Sequence, residues 1–474
     1  MAFQSFSFLA FFALTLAVCL PAARKNARTA RELLMAASMC FYFFAGSGAF
    51  LVLEAGTAVS IFAARYLLSG KGDRGRRRVF VLAVSWQIAV LLVFKYTGFF
   101  TGGRLSIGWA PLGLSFFTFQ QIWYLKELYT REFRPQTTED LTLYAFFFPT
   151  VSSGPILRPG AFFPQLREGA ALHPGWDDAA AGLYAVVLGL GKKVLLADSF
   201  GVIVNNGYAA LDQLSAPAAW LVILGYTLQL YFDFSGYCDM ATGFARLLGF
   251  RLPANFDSPY RSLSVGEFWK RWHITLTDFL RECLYFPLGG SRRGSARTYL
   301  NIMLVFLISG FWHGAGWTFL IWGGLHGLAQ VLERLWGGGR EKLPKLLRWV
   351  ITFAFVNVAW VFFRAPTASS ALHLLSAAVT GGLSKPQDWL ISGLLSSEQE
   401  ALRILLPKLA DWMHILMIFG LYGTGLLTVL LPGNTIRRMD TFRPTVWRAA
   451  ALCLILVWSM LSFTGITTFI YSNF

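Results

Sequence analysis

The apolar positions fall in long runs, without the two-residue alternation of strands, and this pattern predicts apolar helices. A helix that crosses a bilayer takes about 20 such residues. Residues 3–20 form the first candidate span, and residues 33–69 are long enough for two short spans broken near Gly46-Ser47-Gly48. Residues 79–100 then cross and 111–125 return, ending in Lys126, Arg131 and Arg134. Residues 180–203, 217–232, 299–318, 319–336, 347–363, 412–432 and 449–471 read as further helices, with 365–411 the longest non-spanning connection in the C-terminal half. Two stretches break the pattern. Residues 141–165 are apolar but punctuated by Pro149, Gly154, Pro155, Pro159, Gly160 and Pro164, which predicts a broken or re-entrant segment enclosed by protein or a cavity. Residues 253–298 are aromatic and basic, too charged for a simple span.

Basic residues set the orientation. Arg24, Lys25, Arg28 and Arg31 follow the first run, and Lys71 to Arg78 forms the densest basic loop. Both lie on the cytoplasmic side only if an even number of spans separates them, as the two-span reading of 33–69 provides. The N-terminal run lacks the basic leader of a signal peptide, so it is expected to be retained, with its C-terminal end in the cytoplasm. Lys95, near the outer end of its span, is expected to snorkel outward.

Composition narrows the class to a polytopic all-α membrane protein. The 474 residues are 55% hydrophobic and 14% charged, with mean hydropathy +0.52, against about 25% charged in an average soluble domain. The net charge of +16 raises nucleic-acid binding, but the cations sit in short loops between apolar runs and no separate basic domain is visible. No nucleic-acid partner is expected. Cys19, Cys40, Cys238, Cys283 and Cys453 are scattered, with no CxxC and no histidine at ligand spacing, so neither a metal site nor a disulfide framework is expected. No internal repeat is evident, and residues 1–474 read as one membrane domain.

Polar groups inside apolar spans are costly and mark candidate sites. The first is Ser309-Gly310-Phe311-Trp312-His313-Gly314-Ala315-Gly316-Trp317. In a span beginning near Tyr299, His313 lies roughly 21 Å along the helix, past the middle of the hydrocarbon core. A histidine there is either a packed core residue or a general base able to accept a proton at neutral pH. The second is Phe268-Trp269-Lys270-Arg271-Trp272-His273-Ile274-Thr275-Leu276-Thr277, which reads equally as a membrane-interface helix. Glu267, Arg281 and Glu282 are its candidate ion-pair partners. The third is Tyr231-Phe232-Asp233-Phe234-Ser235-Gly236-Tyr237-Cys238-Asp239. Its two carboxylates are six residues apart, so a shared site requires a turn at Gly236; the alternative is that they cap helices or pair with Arg246, Arg251 or Arg261. His326, thirteen residues beyond His313, reads first as a core residue and second as a lining of the same cavity. His173, His373 and His414 sit in loops or at span edges.

These segments form an ordered set with Gly249-Phe250-Arg251, Asn255-Phe256, Pro259-Tyr260, Leu284-Tyr285-Phe286-Pro287-Leu288-Gly289-Gly290, Val361-Phe362-Phe363-Arg364-Ala365 and the C-terminal Phe469-Ile470-Tyr471-Ser472-Asn473-Phe474. The set resembles the bacterial branch of the membrane-bound O-acyltransferase family, closest to its alginate-acetylating membrane subunits, most strongly over residues 145–330. Phe148-Pro149-Thr150-Val151-Ser152-Ser153-Gly154-Pro155-Ile156 instead resembles the branch that transfers D-alanine to teichoic acids. There an Asp commonly follows the Ile; this chain has Leu157 and Arg158.

The resemblance implies about 10–12 transmembrane helices with re-entrant and interfacial helices around a central funnel or tunnel. It implies that His313 is the catalytic histidine and His273 a second functional one. Trp312, Asp233, Asn255, Tyr260, Trp272, Arg271, Ser309 and His326 are the further candidates for the substrate path. It implies an acyl thioester donor, acetyl-CoA first, with no permanently bound cofactor, and Lys270, Arg271, Arg292 and Arg293 are candidates to attract its phosphates. The implied acceptor is an exported or cell-envelope polysaccharide such as alginate, with peptidoglycan, cellulose and teichoic acid as alternatives. The implied setting is the bacterial cytoplasmic (inner) membrane, with an extracytoplasmic SGNH-type acetyltransferase as partner. Lipid or protein acylation is a second enzymatic reading. A proton-coupled transporter is the alternative from another class and predicts inverted repeats. A secretion scaffold would leave the two histidines unexplained.

Overall fold

The computed structural model describes residues 2–69, 72–105, 107–132, 137–167, 171–405, 407–431 and 433–463. The C-terminal motif at 469–474 and the end of the predicted span 449–471 lie outside the described residues. Among them the architecture is all-helical.

The first helices are α1 (Phe6–Lys25), α2 (Ala27–Phe43), α3 (Ser47–Leu68), α4 (Asp73–Phe100) and α5 (Leu114–Tyr129). The run 33–69 therefore divides where expected, at Gly46. The basic ends converge on one face. Arg31 pairs with Asp140 at 3.2 Å, Arg65 bonds Thr138, and Arg76 donates to the carbonyls of Leu67 and Tyr129. This convergence agrees with an even number of spans between the two basic loops.

The proline-rich stretch is broken into α6 (Thr138–Phe146), α7 (Phe148–Val151) and α8 (Pro159–Arg167). Tyr144, Phe146, Phe147, Phe148, Val151 and Leu157 are almost wholly buried, so irregular backbone lies where protein rather than lipid surrounds it.

Next, α9 (Trp176–Gly191) continues through a π-helical segment, Lys192–Ala197, into α10 (Asp198–Ala209), and α11 (Ala216–Leu247) packs against it. Gly182 and Gly189 meet Gly243 and Gly236. A Cβ on Gly189 would lie 2.5 Å from the Gly236 carbonyl, and one on Gly243 would lie 2.6 Å from that of Gly182. The seven-residue spacing puts each pair on one face, two turns apart, so the backbones approach as in small-residue membrane seams. The turn at Gly236 that a shared carboxylate site would require is absent: α11 is continuous there, and the glycine serves helix contact. The carboxylates also pair differently from expectation. Asp233 meets Lys193 and Asp239 meets Lys192, each at 2.7 Å, while Arg246 pairs with Asp178. The wider π-turn presents two consecutive lysines to acids almost two turns apart on α11.

The remaining helices are α12 (Val265–Arg271), α13 (Ile274–Leu280), α14 (Ser295–His313), α15 (Trp317–Trp336), α16 (Lys345–Arg364), α17 (Ala368–Thr380), α18 (Ser396–Leu405), α19 (Met413–Leu430), α20 (Thr435–Met439) and α21 (Val446–Leu461). Before α14 begins at Ser295, residues 253–294 contain only short helices, as their charge requires. Among the described residues, five helical segments are long and apolar enough to cross a membrane: α1, α3, α4, Trp176–Ala209 and α16. Shorter apolar helices lie at Ala368–Thr380, Ile415–Leu430 and Val446–Leu461. α11 has 32 residues but is buried by protein along most of its length, which lets it carry Asp, Ser and Tyr where a lipid-facing helix would not. By contrast, Leu82, Phe62, Phe419 and Leu454 stand exposed on α4, α3, α19 and α21, as lipid-facing side chains do.

Candidate active site

The hairpin of α14 and α15 builds the first half of the site. Gly310 and Gly323 face each other with Cα atoms close enough that an added Cβ would sit 3.2–3.3 Å from the opposite Cα. α14 ends at His313, short of the expected span end at 318, and α15 begins at Trp317, with only the three residues Gly314–Gly316 between them. His313 is therefore the last helical residue rather than a mid-span one. It is 2% exposed, and its imidazole is boxed by Trp312, Trp322 and Phe363, with ring centroids at 4.5, 5.0 and 5.1 Å.

Two neighbours on α4 hold this helix end. Lys95 donates to the Trp312 carbonyl and lies 5.5 Å from its indole, while Tyr96 donates to the Phe311 carbonyl at 2.6 Å. The last carbonyls of a helix lack intrahelical donors, and a cation there also meets the negative end of the dipole. The expectation that Lys95 snorkels is thus overturned: it turns inward because the end of α14 offers a better partner than the membrane surface.

The second half is a turn between α12 and α13. His273 adopts left-handed backbone geometry, φ 45°, uncommon for a residue with a side chain. Asn255 over-determines that conformation. Its carbonyl oxygen accepts from Ile274 N–H at 3.0 Å, and its side-chain Oδ1 accepts from Thr275 N–H at 3.2 Å and Thr275 Oγ1 at 3.0 Å. His273 Nδ1 lies 3.1 Å from the same Oδ1. An amide atom that accepts a backbone N–H is the oxygen, so Nδ1 must be the donor, which makes Nε2 the basic nitrogen of the neutral ring. The re-entrant segment joins the same network, because Ile156 N–H donates to Thr275 Oγ1 at 3.1 Å.

Trp312 links the halves. Its indole is 4.5 Å from His313 and 6.4 Å from His273, and it stacks on Phe119 at 5.0 Å. Both imidazoles thus border one aromatic plane in the interior.

The other candidates distribute around this centre. Trp272, 1% exposed, bridges to Phe256 in the antiparallel sense and stacks on Phe268, supporting the His273 turn. Tyr260 donates to the Thr227 carbonyl at 2.7 Å, which ties its turn to α11. Arg271 pairs with Glu267 and donates to the Asp257 carbonyl, in a partly exposed setting. Asp233 belongs to the lysine pair described above. Ser309 is buried one turn before His313, and its hydroxyl has no hydrogen-bond partner among the described residues. His326 is a core residue: Trp269 Nε1 donates to its Nδ1 at 3.1 Å, and Trp322 and Phe355 enclose it.

Lys95, Tyr96, Phe119 and Thr275 were missed as site residues. The lone lysine in an apolar run carried the same signal of cost as the histidines; the others carried none. Below the site, Arg158 spans Glu127, Glu132 and Glu282, with Lys126 alongside. The three carboxylates lie close enough to hold a cation, but Arg158 and Lys126 already supply the compensating charge.

Residues 127–369 match the profile of the MBOAT, membrane-bound O-acyltransferase family. The chain is 37% identical over 417 residues to the peptidoglycan O-acetyltransferase of Helicobacter pylori, covering 80% of this chain and 78% of that protein. It is 36% identical over 417 residues to the "Probable alginate O-acetylase AlgI" of Azotobacter vinelandii, covering 84% and 80%. A more distant relative is the teichoic acid D-alanyltransferase of Bacillus subtilis, 26% identical over 268 residues, with 53% and 68% covered. The described histidine pair, the hairpin and the broken proline-rich segment all fall within the matched residues, and the chain belongs to the membrane-bound O-acyltransferase family.

Proposed function

We propose that the protein O-acetylates a polysaccharide of the cell envelope, using an acyl thioester, acetyl-CoA first, from the cytoplasmic side of the inner membrane. The reading rests chiefly on one observation: two buried imidazoles border one indole, and one of them has its basic nitrogen assigned by Asn255. His313 acts as the base. It takes the proton of the attacking hydroxyl, that of the acceptor or of a relay that hands the acetyl onward, as the new ester C–O bond forms and the thioester C–S bond breaks, and it returns the proton to the leaving thiolate. His273, held by Asn255, orients the acyl carbonyl and assists that transfer. The aromatic box excludes water, which would otherwise hydrolyse the thioester. Names of the relatives support acetyl as the group and include both peptidoglycan and alginate as acceptors. An extracytoplasmic SGNH-type partner completes delivery to the glycan in this reading.

The test is His313→Ala, compared with wild type at equal membrane abundance, with ester-linked acetate measured on muropeptides and on exported polysaccharide. Acetylation is expected to fall by about 10²–10⁴-fold, the range for loss of a general base. Undiminished acetate on both polymers would overturn the assignment.

A further inference from the structure

A cavity of about 610 Å³ lies outside the histidine site, between α9 with its π-segment, α18, α19, α20 and α21. Its walls differ in kind. Leu188, Leu195, Met417, Leu421 and Ile455 make an apolar trough. Gly420, Thr424, Thr428 and Trp458 are exposed, so the trough opens laterally, toward lipid. The other end carries Lys192, Arg438, Tyr184, Asn434 and Thr435. Lys192 pairs with Asp239, and Arg438, hydrogen-bonded to Tyr184, is exposed on a short helix with Arg437, which pairs with Asp257, and with Arg443 and Arg448 in the loop and helix that follow. Such a basic loop sits at the headgroup level of the cytoplasmic leaflet.

We propose that this cavity binds one anionic glycerophospholipid, with a fatty acyl chain along the trough and the phosphate beside Arg438 and Lys192. Charge complementarity selects the headgroup, and the volume lies within the range of small-molecule sites, roughly 300–1,000 Å³. A coenzyme A nucleotide fits poorly, because its phosphates and adenine would face leucine and methionine. The binding goes beyond the acyl-transfer reading and does not depend on it. It has a structural consequence for that site, since Asn434 lines the cavity and donates to the Phe256 carbonyl, the residue after Asn255. Tyr231, another lining residue, has its ring centroid 6.4 Å from that of Trp272. The lipid thereby braces the strand-like crossing that carries Asn255 and Trp272.

The test uses the full chain, purified and delipidated in detergent, titrated with phosphatidylglycerol or phosphatidylcholine and read by native mass spectrometry and thermal melting. One phosphatidylglycerol is expected to bind and raise the melting temperature, with phosphatidylcholine weaker. Arg438→Ala is expected to weaken phosphatidylglycerol about fivefold, the weight of one cation beside an anionic headgroup. Gly420→Leu is expected to block the trough; a Cβ there meets no atom within 4 Å and leucine favours helix, so the variant folds. Equal binding of the two lipids, wild-type phosphatidylglycerol binding by Gly420→Leu, or displacement of the lipid by coenzyme A would overturn the proposal.

Discussion

His273 and His313 border the same indole but are held by different physics. His273 sits in a cage of directional bonds: one side-chain oxygen, Asn255 Oδ1, takes the imidazole, a backbone N–H and a hydroxyl together. His313 sits in a box of aromatic faces at a helix end whose carbonyls are held by Lys95 and Tyr96. Hydrogen bonds define which nitrogen of His273 carries the proton; ring packing defines where the His313 imidazole sits. The contrast fits a division between an orienting group and a proton-transferring group.

Removing the cage is the sharpest way to break that contrast. Asn255→Leu keeps the approximate volume but strands Thr275 and the His273 Nδ1–H. Each buried group left without a partner costs about 1–3 kcal/mol, so a marked loss of acetyl transfer at normal membrane abundance is expected. If the tautomer matters, Asn255→Asp, which still accepts, will retain more activity than Asn255→Leu; equal loss in both would argue that the cage is merely structural. Next in size is Lys95→Met, which removes the cation from the end of α14 while keeping its chain length. Loss of a favourable charge at a helix terminus is worth about 0.3–1 kcal/mol, so a several-fold fall in transfer is expected, with His273-dependent properties unchanged. A Lys95→Met protein as active as wild type would show that Trp322 and Phe363 suffice to hold His313.

The smallest effect is expected at the charged cluster below both halves. Burial raises the pKa of Glu132, but hydrogen bonds from Lys126 and Thr130, with the Lys126 charge, outweigh it and hold the carboxyl below its ordinary value. A depressed folded-state pKa gives stability that is present above the unfolded value and lost as pH falls through the folded one. Glu132→Gln should therefore lower the melting temperature slightly near neutrality, by less than about 1 kcal/mol in free energy because the site is part-exposed. The difference from wild type should vanish in acid. A difference that persists at low pH would mean that the carboxylate charge is not what counts.

Much of the helical plan was legible along the chain. The break at Gly46, the broken segment after Tyr144 and the short helices around His273 all follow from local rules about glycine, proline and charge. The histidines were legible as polar groups too costly to leave in an apolar setting. The role of Gly236 was not: along the chain it mattered only as the turn a shared acid site would need, and its contact with the glycine at 189 exists only in the fold. Lys95 was misread for a related reason, because outward and inward orientations of a lysine near a span end look identical until a partner for its ammonium is known.

What the chain by itself determined about this protein was its solvent, its secondary structure and the residue types able to do acyl chemistry, because hydropathy and backbone preference act over neighbouring residues. What only the tertiary structure decided was partnership: Asp233 with Lys193, Lys95 with the Trp312 carbonyl, and both His273 and His313 with one indole. Those pairings join residues far apart in the chain, and hydrogen bonds and ring contacts act only over a few ångströms. They come into being when glycine seams and helix ends bring distant segments together.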